Sequence, residues 1–209
     1  ENQKTPTDGM VAKFPVRKGE TDAASFMAHG FDPDLATWSP FHGAVYAVLL
    51  SVARLVSMGA DWRQAYLTLQ EYFEKLTDKN SWGKPAAALL GAFHAQMALG
   101  LGAIGGKDSM TGTFNDLHVP PTLVSFAIAP GKASEAVSQE LKKEGDTLIL
   151  FGQPKDAEGM PLLDVFKAHA DFLYEEVRKG HIAAMKAVDH GGVAVTIAKM
   201  AFGNRLGVT

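Results

Sequence analysis

The residues with the clearest potential for chemistry form one short run, Gly105-Gly106-Lys107-Asp108-Ser109-Met110-Thr111-Gly112. Two adjacent glycines permit backbone conformations and close approaches that other residues do not. An ammonium group and a hydroxyl group follow within three positions, so the run has the donors needed to surround a phosphate. The same residues also fit a turn from helix to strand, in which glycine ends the helix and polar side chains face water. Both interpretations predict a turn here.

Two familiar phosphate-binding motifs do not fit this run. A P-loop has Gly five residues before the Gly-Lys pair and Ser or Thr after the lysine, but this chain has Leu101 and Asp108 there. The glycine spacing of residues 100–105 matches the dinucleotide-binding pattern G-x-G-x-x-G, which follows a strand and opens a helix. Here the predicted order is reversed, because a helix precedes the glycines and a strand follows them.

The composition is that of a folded globular chain of one large or two small domains, with 209 residues, 46% hydrophobic and 21% charged. A net charge of −3 argues against a broad nucleic-acid surface, which usually carries a basic stripe. The absence of cysteine excludes disulfides, thiolate metal sites and a cysteine nucleophile, and it is compatible with a cytoplasmic location. We expect no apolar run of membrane-spanning length and no signal peptide at the first residues.

The first part of the chain is predicted to alternate between strands and helices. Residues 1–9 are expected to connect into the fold, with a short strand at 10–16, another short element of unassigned type at 22–27 and a structured loop at 31–40. Ser39 and Pro40 resemble the N-cap and first residue of a largely buried helix that runs to Met58. A second helix or mixed segment is predicted at 61–76. An alanine-rich helix beginning at Pro85 is expected to pack against a sheet.

The second part is predicted to contain a domain boundary near residue 130. Residues 119–129 open with a proline pair, which is typical of an edge or opening strand. The continuous apolar run at 147–152 indicates a buried strand, and helical spacing follows at 162–179 and 193–202. The chain stops soon after the last predicted helix, so we expect it to be a fragment.

Four segments together resemble the second synthetase half of the large-type phosphoribosylformylglycinamidine synthases. They are PFHGAVYAV at 40–48, GGKDSM at 105–110, PTLVSFA at 121–127 and HGGVAVTIAKMAF at 190–202. The resemblance covers nearly the whole chain from Gly9 onward. It implies an α/β (α+β) fold of the aminoimidazole-ribotide synthetase superfamily. Residues 1–130 would form a PurM-like N-terminal domain whose mixed sheet pairs with a sister domain into a barrel, and residues 131–209 would begin a truncated PurM-like C-terminal domain.

The resemblance also implies a reaction. In such ligases of purine biosynthesis, ATP activates the formyl-amide oxygen of formylglycinamide ribotide, and ammonia from a glutaminase domain displaces phosphate. The glutaminase must lie outside this cysteine-free chain, and the isolated chain is expected to be inactive. No catalytic residue is assigned to it.

Several site residues follow from the resemblance. The glycine run would hold substrate and nucleotide phosphate at the interface between the two halves, through Gly105, Gly106, Lys107, Asp108 and Ser109. Gln70 and Glu71 fall where relatives carry polar residues of the nucleotide pocket. Asp189, beside the glycine pair of the last motif, is a further nucleotide-binding candidate, although a simple helix-entry turn fits it as well.

The magnesium ligands of related halves are mostly missing. Two of their positions fall on Leu50 and Arg54, and neither side chain coordinates magnesium. Asp22 is the remaining candidate ligand. Magnesium and nucleotide are therefore expected to bind weakly or not at all in this half, with Arg54 free to fill the vacated space.

Two other functions stay open at this point, a structural half without a working nucleotide site and an unrelated phosphosugar-binding domain. The isolated chain is also expected to form a homodimer. An uncovered sheet edge carrying Val124, Phe126 and Ile128 would pair with another copy.

Overall fold

The computed structural model describes residues 4–209, and its centre is a mixed five-stranded sheet with helices on one face. The strands of this sheet occur in the order β1, β2, β7, β3, β4. Only β3 and β4 are parallel, and the other neighbours are antiparallel. The strands are β1 (Gly9–Lys13), β2 (Ala23–Gly30), β3 (Tyr66–Tyr72), β4 (Ala103–Ser109) and β7 (Thr122–Lys132), with a small hairpin of β5 (Thr113–Phe114) and β6 (Leu117–His118). The helices are α1 (Pro33–Trp38), α2 (Pro40–Ser57), α3 (Lys79–Leu99), α4 (Leu163–Arg178) and α5 (Gly192–Phe202). The predicted α/β class is confirmed.

Strand β7 lies inside the sheet, between β2 and β3. Its residues alternate between a helix-covered face, where Ala127 and Ala129 are buried, and an open face that carries Val124, Phe126 and Ile128. The prediction of an edge strand is therefore wrong. Its proline pair precedes the strand and does not interrupt the hydrogen bonding on either side. The edges of the sheet are β1 and β4 instead.

Helix α2 is the central helix of the core, as predicted from its N-terminal signals. The side chain of Ser39 accepts a hydrogen bond from the His42 amide, and Pro40 occupies the first helical position. The helix is long and apolar enough to cross a membrane, contrary to our expectation of no such run. However, 61% of its residues are buried within the fold, as expected for the core helix of a globular domain.

Helix α3 begins six residues before the predicted start at Pro85. Asp78 and Ser81 form a reciprocal capping box, which satisfies the first amides of the helix, and Pro85 lies inside the helix in its second turn. We expected the small residues of α3 to pack against the sheet, but they pack against α2 instead. At Gly91, an added Cβ would lie only 2.1 Å from the carbonyl oxygen of Phe41. Glycine at this position therefore allows the two helices to pack closely.

Four further predictions of local structure need correction. Residues 61–76 form a short 3-10 turn and strand β3, because their apolar and polar residues alternate with period two. The expected loop at 31–40 contains α1, which Asp32 caps. The glycine run is not a turn, since residues 105–109 lie in β4. The predicted buried strand at 147–152 is irregular and exposed, with Ile149 73% accessible, because no strand in the described part of the chain pairs with it.

The N-terminal segment is bound into the fold more firmly than a connecting segment would be, although residues 1–3 lie outside the described part. Asp8 is buried and pairs with the buried ammonium of Lys186, and it also accepts hydrogen bonds from Ser57 and the Ala187 amide. Thr5 donates to the carbonyl of Lys199 near the end of α5. These contacts join the segment to α2 and to the C-terminal region.

Candidate functional site

The predicted phosphate-binding residues and the predicted nucleotide residues lie side by side at the carboxyl ends of the two parallel strands. Gln70 in β3 is paired with Lys107 in β4, Glu71 with Asp108, and Tyr72 with Ser109. Helix α3 connects the two strands, and this crossover makes them parallel. Ligands commonly bind beyond the carboxyl ends of parallel strands, so this edge of the sheet is the candidate site.

One group of these side chains lies on the open face of the sheet. Because paired residues of parallel strands share a face, Gln70 and Lys107 are neighbours there, followed by Tyr72 and Ser109. The Tyr72 hydroxyl donates a 2.7 Å hydrogen bond to Oε1 of Gln70. Lys107 is exposed, and its ammonium makes one long contact of 3.4 Å, to the carbonyl oxygen of Asp108. It forms no ion pair within residues 4–209, so it can pair with an anionic ligand.

The two glycines of β4 differ in their surroundings. A Cβ added to Gly105 would meet no atom within 4 Å, so this position leaves open space on the same face as Lys107. A Cβ added to Gly106 would lie 2.5 Å from the carbonyl oxygen of Leu69 in β3. Gly106 is therefore required for the approach of the two strands, whereas Gly105 leaves room for a ligand.

The other group of side chains lies on the helix-covered face. Glu71 is 5% exposed, and its Oε1 atom has no hydrogen-bond partner in the described part of the chain. Burial and, to a smaller extent, the negative charge of Asp108 together raise the pKa of Glu71 to about 7. The strands therefore separate Glu71 and Asp108 from Lys107, and these residues do not form one cluster.

The open-face group lies on a surface and not in a cavity. An open groove of about 400 Å³ follows the run in sequence, and it is lined by residues 111–114 and 117–119 around the hairpin and includes none of residues 105–109. A phosphate bound at Lys107 would thus be held from one side only. Such a surface can form one wall of a site whose other wall is a separate domain.

Asp189 lies in a different place and is already paired. One carboxylate oxygen of Asp189 is 2.6 Å from the guanidinium of Arg54, and the other is 3.5 Å from the ammonium of Lys199. Arg54 also donates to the carbonyl oxygen of His29 at the end of β2. Both members of the Arg54–Asp189 pair are largely buried. This arrangement, two cations around one carboxylate, does not fit a magnesium ion, which needs oxygen ligands.

Asp22 lies at the other end of β2 from this pair. Seven residues of extended chain separate it from His29, which is roughly 23 Å at the rise of a strand. Its carboxylate accepts hydrogen bonds from the amide and the hydroxyl of Ser134, and these bonds lower the pKa of Asp22. No group of three or more metal-ligating His, Asp or Glu side chains occurs among residues 4–209. Asp22 caps the turn after β7 and is not brought together with Asp189.

Sequence reasoning missed Tyr72 as a member of the open-face group. A strand assignment for residues 66–72 would have found it, because alternation places Tyr72 beside Gln70 on one face. The position of Arg54 against Asp189 had no such local signal, since the two residues are 135 positions apart.

Comparisons with known proteins place this geometry in context. No protein-family model matches the chain. The chain is 27% identical to the phosphoribosylformylglycinamidine synthase subunit PurL of Thermococcus kodakarensis, over 99% of this chain and 30% of that protein. Among solved structures, the chain is similar to Thermotoga maritima PurL complexed with ATP, with a TM-score of 0.60 and 17% identity over 86% of this chain and 28% of that one. It is also similar to the same protein complexed with FGAR, with a TM-score of 0.53 and 21% identity over 64% of this chain and 21% of that one. The protein AaThiL, complexed with AMPPCP and TMP, matches 93% of this chain and 64% of its own (TM-score 0.57, 13% identity).

These findings confirm the resemblance to phosphoribosylformylglycinamidine synthase. The structural matches show that the chain shares the fold of PurL and ThiL, the PurM-like fold. The chain spans about 30% of the length of the curated relative that it matches.

Proposed function

We propose that this chain is part of an ATP-dependent phosphoribosylformylglycinamidine synthase of purine biosynthesis, and that it forms a substrate-binding wall between the two synthetase halves. The sequence similarity to PurL over 99% of the chain supports the assignment to this reaction. The reaction converts formylglycinamide ribotide to formylglycinamidine ribotide with ATP and ammonia.

The observation that carries this proposal is the exposed ammonium of Lys107, which forms no ion pair with any of residues 4–209 and lies beside Gln70, Tyr72 and Ser109 on an uncovered sheet face. A phosphate needs a positive charge and several hydrogen-bond donors, and this surface provides both without requiring a basic protein. The open space at Gly105 admits a phosphate close to the strand backbone. The ribotide phosphate is the ligand that this surface fits best.

The open face of the sheet supports a second part of the proposal, that a sister synthetase half covers it. Met10 on the edge strand β1 is 53% exposed, and Phe126 in β7 and Tyr66 in β3, both inside the sheet, are 39% and 54% exposed. Apolar side chains in a continuous sheet face favour burial against another sheet. A sister half placed there would complete the barrel and supply the second wall around Lys107. Residues 1–130 then form the N-terminal-type domain, and residues 131–209 begin the C-terminal-type domain.

In this reaction, the residues of this chain bind the ribotide and orient it. Lys107, Gln70 and Ser109 hold the ribotide, so that its formyl amide is positioned for activation by ATP and for attack by ammonia. The ammonia comes from a glutaminase elsewhere in the enzyme. The location we propose for the enzyme is the cytoplasm. Magnesium and the reacting nucleotide belong to the other half, because Arg54 and Lys199 already surround Asp189 here.

The pairing of Arg54 with Asp189 also favours the second candidate, a structural half without a working nucleotide site. Calorimetry separates the candidates. The complete enzyme that contains this chain is titrated with formylglycinamide ribotide, with magnesium-ATP and with an unrelated phosphosugar such as ribose 5-phosphate. Each titration is repeated on the Lys107→Ala enzyme.

We expect ribotide binding to weaken in the Lys107→Ala enzyme while magnesium-ATP binding is retained. The matched control is Lys18→Ala, which removes an exposed lysine from the turn between β1 and β2. Equal ribotide affinity in the wild-type and Lys107→Ala enzymes would support the structural alternative. Equally tight binding of ribose 5-phosphate would support a general phosphosugar site.

A further inference from the structure

The small hairpin of β5 and β6 lies at the carboxyl ends of the two parallel strands, where the open-face group ends. The amide of Phe73, the residue after β3, donates to the carbonyl oxygen of Ser109, and the Phe73 carbonyl oxygen accepts from the amide of Gly112. The amide of Lys75 donates to the hydroxyl of Thr113 in β5. These bonds hold the hairpin, and the open groove of about 400 Å³ that it lines, immediately beyond the open-face group.

His118 in β6 lines this groove, and its imidazole is oriented by contacts to one ring nitrogen. The Nδ1 atom lies 3.1 Å from the hydroxyl oxygen of Thr113 and 3.5 Å from Oε2 of Glu74. Because an ionised carboxylate only accepts hydrogen bonds, the tautomer of His118 with a proton on Nδ1 is favoured. The Nε2 atom then carries a lone pair, and among residues 4–209 it has no hydrogen-bond partner.

Glu74 is itself held in place by a second contact. Its Oε1 atom pairs with the ammonium of Lys84 in α3, and its side chain is only 16% exposed. A carboxylate fixed in this way is a permanent acceptor for Nδ1 of His118. The His118 side chain is 54% exposed, so its Nε2 lone pair is accessible to a ligand in the groove.

The open face of the sheet is more polar toward the hairpin than away from it. Hydroxyl-bearing side chains lie between Lys107 and the hairpin tip: Thr122, Tyr72 and Ser109 in the row next to Lys107, then Thr111 and Thr113 in the groove. In the opposite direction the face carries mainly large aromatic and aliphatic side chains: Tyr66, Phe126 and Ile128. A polar ligand whose phosphate lies at Lys107 therefore finds most of its hydrogen-bonding partners in the direction of the groove.

We propose that this groove binds the formylglycinamide arm of the ribotide, and that Nε2 of His118 accepts a hydrogen bond from an amide N–H of that arm. The inference rests on the proposed function, in which Lys107 holds the ribotide phosphate. The arm is uncharged and carries amide N–H groups and carbonyl oxygens, which match the lone pair of His118 and the hydroxyls of Thr111 and Thr113. His118 is then a specificity-determining residue, and Glu74 is a positioning residue that acts through it.

This arrangement divides recognition of the ribotide between two contacts. Lys107 binds the phosphate, which every phosphosugar has, whereas His118 binds only the arm. The complete enzyme that contains this chain is therefore titrated with formylglycinamide ribotide. Ribose 5-phosphate, which lacks the arm, is measured through its competition with the ribotide.

We expect the two substitutions to give different patterns. In His118→Ala the ribotide dissociation constant should rise roughly 2- to 12-fold, as for the loss of one hydrogen bond, and the affinity for ribose 5-phosphate should not change. In Lys107→Ala both ligands should bind more weakly. The matched control is His181→Ala, which removes another exposed histidine whose Nδ1 contacts a glutamate, Glu176, beyond the end of α4. It should change neither affinity.

The outcomes separate this inference from the proposed function. Unchanged ribotide affinity in His118→Ala, or an equal loss of affinity for both ligands, would overturn the inference. Unchanged affinity for both ligands in Lys107→Ala would instead overturn the proposed function. Retained affinity for magnesium-ATP checks that each variant enzyme is folded.

Glu74→Gln tests the positioning role of Glu74. The new side-chain amide both donates and accepts, so it no longer favours one tautomer of His118. We expect ribotide affinity to fall in Glu74→Gln, and to fall no further when this substitution is added to His118→Ala. Additive losses, or no loss in Glu74→Gln, would overturn the positioning role.

Discussion

The guanidinium of Arg54 and the carboxylate of Asp189 form a 2.6 Å ion pair that joins helix α2 to the turn before helix α5. The pair is largely buried, and Arg54 also holds the last strand residues of β2 through the carbonyl oxygen of His29. Burial and the charge of Arg54 lower the pKa of His29, so the imidazole adds no further positive charge at neutral pH. The pair occupies a position where the sequence resemblance implies metal ligands.

The first prediction concerns the stability contributed by this pair. Arg54→Met should lower the free energy of unfolding by about 3 kcal/mol, because Asp189 would keep only the more distant Lys199. Asp189→Asn should have an effect of similar size. Urea unfolding of both variants and of the double variant measures the coupling, which we expect to be about 1–3 kcal/mol. Additive effects of the two single substitutions would show that the pair does not stabilise the fold.

The second prediction concerns magnesium-nucleotide at the same place. Because Arg54 and Lys199 surround Asp189, Asp189→Asn in the complete enzyme should leave magnesium-ADP affinity unchanged. Calorimetric titration of the wild-type and variant enzymes measures this affinity. A crystal soaked in ADP and magnesium that showed a metal ion on Asp189 would contradict the prediction.

The third prediction is a pH dependence of stability that originates at Glu71. Its folded-state pKa of about 7 lies above the ordinary value of 4.5, so the folded chain binds this proton more tightly than the unfolded chain. Stability should therefore fall as the pH rises from about 4.5 to 7, by at most about 3 kcal/mol, and change no further above that range. Glu71→Gln mimics the protonated side chain and should remove this part of the profile. Chemical denaturation at pH 5 and pH 8 measures the difference between the two proteins, and parallel profiles would exclude the raised pKa.

The fourth prediction separates the two adjacent glycines of β4. Gly106→Ala should lower the free energy of unfolding by roughly 1–3 kcal/mol, since its Cβ would lie 2.5 Å from the Leu69 carbonyl oxygen. Gly105→Ala has open space and should change stability by about 0.5 kcal/mol or less. Thermal unfolding of the two variants tests this. Equal destabilisation would mean that both glycines serve the same structural purpose.

Much of the helical part of the fold was predictable from local signals. Ser39 and Pro40 marked the start of α2, and apolar spacing marked α4 and α5, because helix caps and periodicity depend on neighbouring residues. The position of β7 within the sheet was not predictable in this way. Whether a strand lies at an edge depends on which distant strands pair with it. The sequence of residues 122–132 does not indicate that β2 and β3 pair with this strand.

The candidate site was predictable only in part for the same reason. The sequence singled out Lys107, Gln70 and Glu71, but it suggested a turn where the glycines form an edge strand. The parallel register of β3 and β4 then decided which residues share a face, and it placed Lys107 with Gln70 and away from Glu71. This separation follows from pairing between segments more than thirty residues apart.

The most direct test of the proposed function is the steady-state kinetics of the Lys107→Ala enzyme with formylglycinamide ribotide as the varied substrate. Loss of one charge-assisted hydrogen bond to a phosphate costs about 1.5–3 kcal/mol, which corresponds to a fall in kcat/KM of roughly 10- to 150-fold. Lys107→Arg should also impair the enzyme, because a planar guanidinium replaces a compact ammonium. We predict that both variants fold normally and lose ribotide kcat/KM, with Lys18→Ala unaffected. Unchanged kcat/KM in Lys107→Ala would contradict the assignment of this surface to substrate binding.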